Sequence, residues 1–251
     1  MITTKTFTTM KHDVVFDVAN LGEDDINNFC INEYNDGEWE EHTFIIFDKF
    51  KDKTKVMIDM GGWIGITPLY CSQKFKHVVA FECDREAIHR FKENLSVNPS
   101  IKNISISDNA IWDYNGKTDF GAKQGGEFGD SESSMLFCHQ QNAIQVFTTT
   151  FLNAMNYYKV NLKEIGFIKM DIEGAEQVVV SDMQRYLSAY KPVLYLSLHH
   201  HILPKKDVAK MLDVLFDIYS DVKVYNKMGH SFQVDKRRII DNKLEDCVFE
   251  K

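Results

Sequence analysis

No apolar run in this chain approaches the roughly 18 residues that a membrane-spanning helix requires, so no membrane partner is expected. Proline is scarce at four residues and glycine modest at thirteen. Neither gathers into a low-complexity tract or a solenoid-like repeat, which excludes fibrous and array architectures. The five cysteines (Cys30, Cys71, Cys83, Cys138, Cys247) never take C-x-x-C spacing. A disulfide frame and a zinc ribbon are thereby excluded, and reduced thiols in a cytoplasmic protein are expected. The opening residues "MITTKTFTTMKHD" lack the apolar stretch of a secretory leader, which agrees with that expectation. Positive charge is also short: 29 Lys and Arg stand against 37 Asp and Glu, for a net charge of −8. Eleven acids lie between Asp13 and Asp48 with no Lys or Arg until Lys49. A broad basic surface for a nucleic-acid backbone is absent, and a small-molecule or glycan substrate is the expectation.

What is present is a large apolar fraction, 44% of 251 residues, enough for a full core. Residues 1–50 read as an N-terminal extension or cap, with a strand in "KHDVVFDV" and a helix in "DGEWEEHTFIIFDKF". Residues 51–251 form the main domain. Its strands read as "KVMIDMG", "HVVAFECD", "NISISDNAIW", "IGFIKMDIEG" and "KPVLYLSLHHH". Between them lie helical patterns in "ITPLYCSQKF", "REAIHRFKENLS", "TTTFLNAMNYY", the segment after Gly174, and "KKDVAKMLDVLFDIY". "DVKVYNKMGHSFQVD" reads as two closing strands around Gly229. Strand and helix alternate, which requires crossover connections and hence a parallel sheet with helices on both faces. Ligands in such sheets lie beyond the carboxyl ends of the strands.

The strand ends carry the informative residues. In "VMIDMGGWIG", Asp59 precedes Gly61, Gly62 and Gly65, where backbone without Cβ atoms lets a ligand approach. The dinucleotide pattern G-x-G-x-x-G fails because Met60 stands two before Gly62. The D-x-G-x-x-x-G spacing matches instead the turn that binds S-adenosylmethionine. Glu82 ends the second strand 17 residues after Gly65, placed to accept from two vicinal ribose hydroxyls. The third strand ends at Asp108, Asn109 and Ala110, within reach of an adenine. A Gly-rich stretch, 121–134, with Ser131, Ser133 and Ser134, reads as a surface loop able to close over a substrate.

With these residues in view, the chain resembles the FkbM-type branch of class I S-adenosylmethionine-dependent methyltransferases. "MIDMGGWIG" is similar to the family's I-D-V-G-A-N-I-G, "VAFECD" to A-F-E-P-D, "DNAIWDYNG" to A-x-x-D-x-x-G, and "FIKMDIEGAE" to K-x-D-x-E-G-x-E. "KPVLYLSLHH" resembles the next strand, often P-x-x-x-x-E-x-H. Trp63 stands in place of the family's Asn, Cys83 of its Pro, and Ser197 of its strand-five Glu. The resemblance implies a seven-stranded, mostly parallel Rossmann-like sheet with helices on both faces and an antiparallel C-terminal hairpin. It implies S-adenosylmethionine as cofactor, held by Asp59, Gly61, Gly65, Glu82 and Asn109, with Gly62, Trp63, Cys83, Asp108 and Ala110 in the same turns.

Methyl transfer to a hydroxyl of a sugar, glycan or related natural product is the expected chemistry. An NAD-dependent oxidoreductase and a non-catalytic cofactor-binding homologue are the alternatives. On an extended strand Lys169, Asp171 and Glu173 share a side. Asp171 is expected nearest the methyl group, Glu173 to orient the acceptor, and His199 to take its proton. His199 and His201 share a side as well, which would allow a divalent ion on a substrate diol. No full ligand set is legible, and no metal is assigned. Trp39, Glu40 and Tyr34 lie where substrate caps are often built, although aromatic residues in an extra helix more often pack on the sheet, and a homodimer is allowed for.

Overall fold

The computed structural model describes residues 3–9, 14–20, 40–123, 126–129, 133–137, 143–226 and 228–251. Trp39, Tyr34 and Ser131 lie outside them. The strands are β1 (Thr3–Thr9), β2 (Val14–Asn20), β3 (Val56–Met60), β4 (His77–Phe81), β5 (Ile104–Ser107), β6 (Ala110–Ile111) and β7 (Gly116–Phe120). They continue with β8 (Ile144–Thr149), β9 (Ile165–Met170), β10 (Val193–Ser197), β11 (Asp221–Tyr225), β12 (Ser231–Gln233) and β13 (Asp246–Glu250). The helices are α1 (Glu41–Phe50), α2 (Ile66–Ser72), α3 (Arg85–Ser96), α4 (Phe151–Tyr157), α5 (Glu176–Tyr190), α6 (Lys205–Ile218) and α7 (Lys236–Asn242).

The main sheet runs β12-β11-β13-β10-β9-β3-β4-β5. Strands β5, β4, β3, β9 and β10 are parallel, while β13 is antiparallel to both β10 and β11. The central strands are buried on both faces, which is why they read as continuous apolar runs. Met57, Val78, Phe167 and Tyr195 pack with α1 and α2 on one side. Ile58, Val79, Ile168 and Leu194 pack with α4, α5, α6 and α7 on the other. Neighbours in sequence thus serve opposite layers, as the period-two alternation of a strand demands.

The expected seven strands are corrected to eight, because the short β12 adds to the free edge of β11. Nor does the hairpin around Gly229 close the chain: α7 and β13 follow, and β13 inserts between β10 and β11. The single strand expected over 103–112 is two. β5 belongs to the main sheet, whereas β6 joins β8 and β7 in a separate three-stranded sheet. The break falls where the Asn109 N–H donates to Ser107 Oγ at 3.3 Å, capping the strand end.

The N-terminal hairpin β1–β2 docks on α3. Asn94 and Asn98 accept from the backbone N–H groups of Ala19 and Asp17 at 2.9 and 2.8 Å. Asn98 Nδ2 donates back to the Asp17 carbonyl at 2.6 Å. Val14, Phe16 and Val18 then complete the layer containing α1. Among the described residues no helix is long and apolar enough to cross a membrane.

Candidate active site

Strand order reverses between β3 and β9, and the carboxyl ends there open a crevice of the kind that holds ligands in α/β sheets. A cavity of about 450 Å³ occupies it. One end is formed by the turn after β3. Gly61 and Gly62 both donate their N–H to the Phe81 carbonyl at 3.0 Å. Trp63 has φ of 44°, a left-handed conformation in which Asn is far more at home than Trp. Its own groups secure it: the backbone N–H donates to Glu82 Oε2 at 2.8 Å, and the indole N–H to the Gly129 carbonyl at 2.9 Å. Gly129 N–H in turn donates to Asp84 Oδ2 at 2.9 Å. The described part of the Gly-rich stretch is therefore tied to the cavity rim.

Glu82 lines the cavity at the end of β4, with Oε1 also accepting from Asp84 N–H at 2.8 Å. Burial pushes its carboxyl up to about 7, against the pull of those backbone donors. Gly61, Gly62, Trp63, Cys83 and Ala110 line the same cavity. The Cys83 thiol is raised well above its usual range by burial and by the Glu82 and Asp84 charges, so it is no nucleophile. Asp59, Gly65, Asp108 and Asn109 do not line it. Asp59 is fully buried beneath the floor, where Thr67 Oγ1 donates to Oδ2 at 2.6 Å and Lys169 Nζ lies 3.4 Å from Oδ1. Gly65 packs against the Phe91 ring. Asp108 is exposed.

The other end is a charge cluster. Lys169 Nζ lies 3.3 Å from Asp171 Oδ2 and donates to the Gly61 carbonyl at 3.0 Å. Burial opposes its charge, but Asp59, Asp171 and Glu40 outweigh that and keep it protonated. β9 ends at Met170, and Glu173 turns back with φ of 54°. Both carboxylates still meet His199, whose Nε2 lies 3.4 Å from Asp171 Oδ1 and 3.2 Å from Glu173 Oε1. His199 Nδ1 lies 2.9 Å from Glu176 Oε1. Burial pushes the Glu173 carboxyl up, against the pull of His199. Burial would likewise strip His199 of its proton, yet the bonds to Glu173 and Glu176 and the Asp171 charge hold its pKa near 11. In the ligand-free protein His199 is a cation, the reverse of what a waiting base requires. His199 and His201 sit in a turn beyond β10, with their rings 5.9 Å apart.

This cluster sets a pH dependence. The folded pKa of His199, about 11, exceeds its unfolded value of roughly 6.5, so the folded state binds more protons between them. Its stabilisation is complete below roughly 6.5 and is lost as pH rises toward 11. Glu40 and Glu82, both raised to about 7, act in the same sense between roughly 4.5 and 7. The thermal midpoint of the ligand-free protein is therefore expected to fall from pH 6.5 to 9. A flat or rising profile in a calorimetric scan would contradict the arrangement.

A third group of residues escaped the sequence reading. Asp246, on β13, lies opposite Ser197 across the β10–β13 ladder. Its Oδ1 accepts from Ser197 Oγ at 2.8 Å and Tyr195 Oη at 3.0 Å, and His42 Nε2 lies 3.0 Å from Oδ2. Burial opposes its charge, but these partners hold the Asp246 carboxyl below the usual range. Asp246 thus puts a carboxylate beside the position where Ser197 replaces a family glutamate. Glu40, expected in a cap, lines the cavity near Lys169 and Asp171, and burial raises its carboxyl to about 7. The alternation Tyr195–Ser197 was a legible sign of one polar strand side; its partner strand was not.

No curated protein matches the chain. Among solved structures, it is similar to the methyltransferase FkbM from Methylobacillus flagellatus KT, at 17% identity and a TM-score of 0.48. That match covers 79% of this chain and 44% of the other, so this chain spans less than half of that protein. It is also similar to a Streptococcus mutans protein crystallised with SAH, at 11% identity, TM-score 0.46, and 84% and 95% coverage. An rRNA methylase from Streptococcus thermophilus matches at 10% identity, TM-score 0.44, and 83% and 93% coverage. The methyltransferase FkbM domain matches residues 62–232, from the glycine turn through β12. That span contains the Gly62–Trp63 turn, Glu82 and the Lys169–Asp171–Glu173–His199 cluster, and the chain belongs to the FkbM methyltransferase family.

Proposed function

We propose that this protein transfers a methyl group from S-adenosylmethionine to a hydroxyl of a sugar, glycan or related natural product. One observation carries the reading: a single cavity joins the Gly61–Trp63 turn and Glu82 to the Asp171, Glu173 and His199 cluster. A nucleoside gripped at Glu82 and running along the turn would direct its sulfonium at Asp171. Ala110, Ile111 and Phe81 offer an apolar wall for the base. Family membership supports the methyl donor.

The protein's tasks are alignment and desolvation, since the donor carries its own leaving group. The acceptor oxygen attacks the methyl carbon, the carbon–sulfur bond breaks, and the hydroxyl proton passes to a carboxylate of the cluster. Asp171 and Glu173 suit that task, because His199 is already protonated. On the acceptor side stand Glu40, His42, Ser197, His201, Glu245 and Asp246. A wall so rich in carboxylates repels phosphates and offers many hydrogen bonds, which favours an uncharged polyol over a nucleic acid.

Radiolabelled methyl donor with a panel of sugars and glycans tests the reaction, and calorimetry with SAH tests the donor site. Tight NADH binding with no SAH binding would overturn the reading. Glu82→Gln is expected to weaken SAH binding by about 10–100-fold, equivalent to roughly 1.5–3 kcal/mol for charge-assisted bonds to two hydroxyls. An unchanged dissociation constant would remove Glu82 from the ribose.

A further inference from the structure

We propose that Asp171, Glu173 and His199 form a binding site for a hard divalent cation of the Mg²⁺ or Mn²⁺ class, opening into the cavity. One ligand atom from each residue lies within 4.8 Å of the other two. The two distances from His199 Nε2, 3.4 Å to Asp171 Oδ1 and 3.2 Å to Glu173 Oε1, bear on the geometry. Ligands at right angles around a Mg²⁺-sized ion at about 2.0–2.1 Å lie roughly 2.8–3.0 Å apart. Both separations from Nε2 are thus within about half an ångström of that of neighbouring octahedral ligands, a gap that small rotations of these side chains would close. Two carboxylate oxygens and one imidazole also suit Mg²⁺ or Mn²⁺ better than a thiophilic metal.

The surroundings support an ion independently. Glu176 occupies His199 Nδ1 at 2.9 Å, which orients Nε2 toward the two carboxylates. Carboxylate–imidazole pairs of this kind hold metal-binding rings in place. Glu176 Oε1 is itself anchored by the N–H groups of Ile172 and Gly174, at 3.1 and 3.2 Å. The Glu176 side chain is fully buried, and its second oxygen finds no hydrogen-bond partner among the described residues. That carboxylate is under-compensated by the protein alone.

Charge balance points the same way. Lys169 is matched by Asp59 beneath it, and an ion at Nε2 displaces the proton of His199, leaving three carboxylates, Asp171, Glu173 and Glu176, around a neutral imidazole. A divalent ion cancels two of them, and the sulfonium of the methyl donor would cancel the third. The remaining faces of the ion point into the cavity, where two adjacent hydroxyls of an acceptor could bind and one be activated for attack. That role rests on the methyl-transfer reading; the cation site does not.

The test is a Mn²⁺ titration of the chelator-stripped protein by electron paramagnetic resonance, with SAH calorimetry in parallel. One Mn²⁺ is expected per wild-type chain. Asp171→Asn, Glu173→Gln and His199→Ala should each weaken binding at least about tenfold, and Glu176→Gln, the positioning variant, by about 10–100-fold. Glu164→Gln, on the exposed Lys76 pair, should bind as wild type. Circular dichroism checks that each variant is folded. No Mn²⁺ bound by the wild-type protein at about 1 mM, near the weak end of divalent-cation sites, with SAH still binding, would overturn the cation site alone. Mn²⁺ binding without SAH binding would keep the site and remove the methyl-transfer reading.

Discussion

Asp171→Asn is expected to lower methyl transfer by about 10³-fold while the fold and SAH binding persist. The substitution is isosteric and removes one charge. Asp171 reaches Lys169 Nζ through Oδ2 at 3.3 Å and His199 Nε2 through Oδ1 at 3.4 Å. It is thus the carboxylate that links the lysine on the cavity floor to the imidazole on its wall. An amide keeps the shape but cannot accept the acceptor's proton, and it presents less negative charge to the sulfonium. Lys169 would retain Asp59 and the Gly61 carbonyl, so the floor should survive. The loss is expected in kcat, with the SAH dissociation constant within about threefold of wild type. A wild-type turnover number in Asp171→Asn would exclude the residue from the chemistry.

How much of this site was legible in the sequence depended on where each residue gets its neighbours. Lys169, Asp171 and Glu173 follow one another along the end of β9, and His199 follows β10, the adjacent strand. The strand-end rule for ligand sites suffices to bring those four together, whereas the expected strand periodicity through Glu173 does not hold, because β9 stops at Met170 and Glu173 is left-handed. Asp246 is different. It meets Ser197 only because β13 inserts antiparallel beside β10, a pairing between distant segments that no local pattern announces. In β8, Phe147 is 58% exposed and the threonines suggested a helix cap instead. Thr150 is that cap, one residue beyond the strand.

Roles also depend on burial, which a sequence does not display. Asp59 has the right spacing for a ligand contact, yet complete burial makes it the support under Lys169 and Thr67. His199 is a natural base by composition, and three carboxylates around it make it a cation. Trp63 departs from the family's Asn at a backbone conformation that favours Asn, and its indole ties the turn to Gly129. The parallel sheet itself was readable because strands buried on both faces leave nothing but apolar residues between their ends.

The second large effect concerns stability. Gly61→Ala is expected to cost about 3–5 kcal/mol, combining a strained left-handed residue with overpacking. Gly61 has φ of 84°, and a Cβ there would lie 1.8 Å from the Asp171 carbonyl oxygen and 2.9 Å from its carbon. These are backbone atoms, with no rotamer to swing away. Neither side can yield easily. Gly61 N–H is bound to Phe81 on β4, and Asp171 N–H donates to the Met60 carbonyl on β3 at 3.0 Å. Relief would require the ends of β3 and β9 to part, carrying Asp171 away from His199. Gly62 is the matched control: its φ is not left-handed, and its nearest neighbours would be side-chain carbons at 3.4 Å. Gly62→Ala should therefore shift the denaturation free energy by less than about 1 kcal/mol. Urea unfolding of the two variants separates the cases. Equal midpoints for Gly61→Ala and wild type would mean that β3 and β9 do not meet at this carbonyl, and the cavity floor would have to be rebuilt.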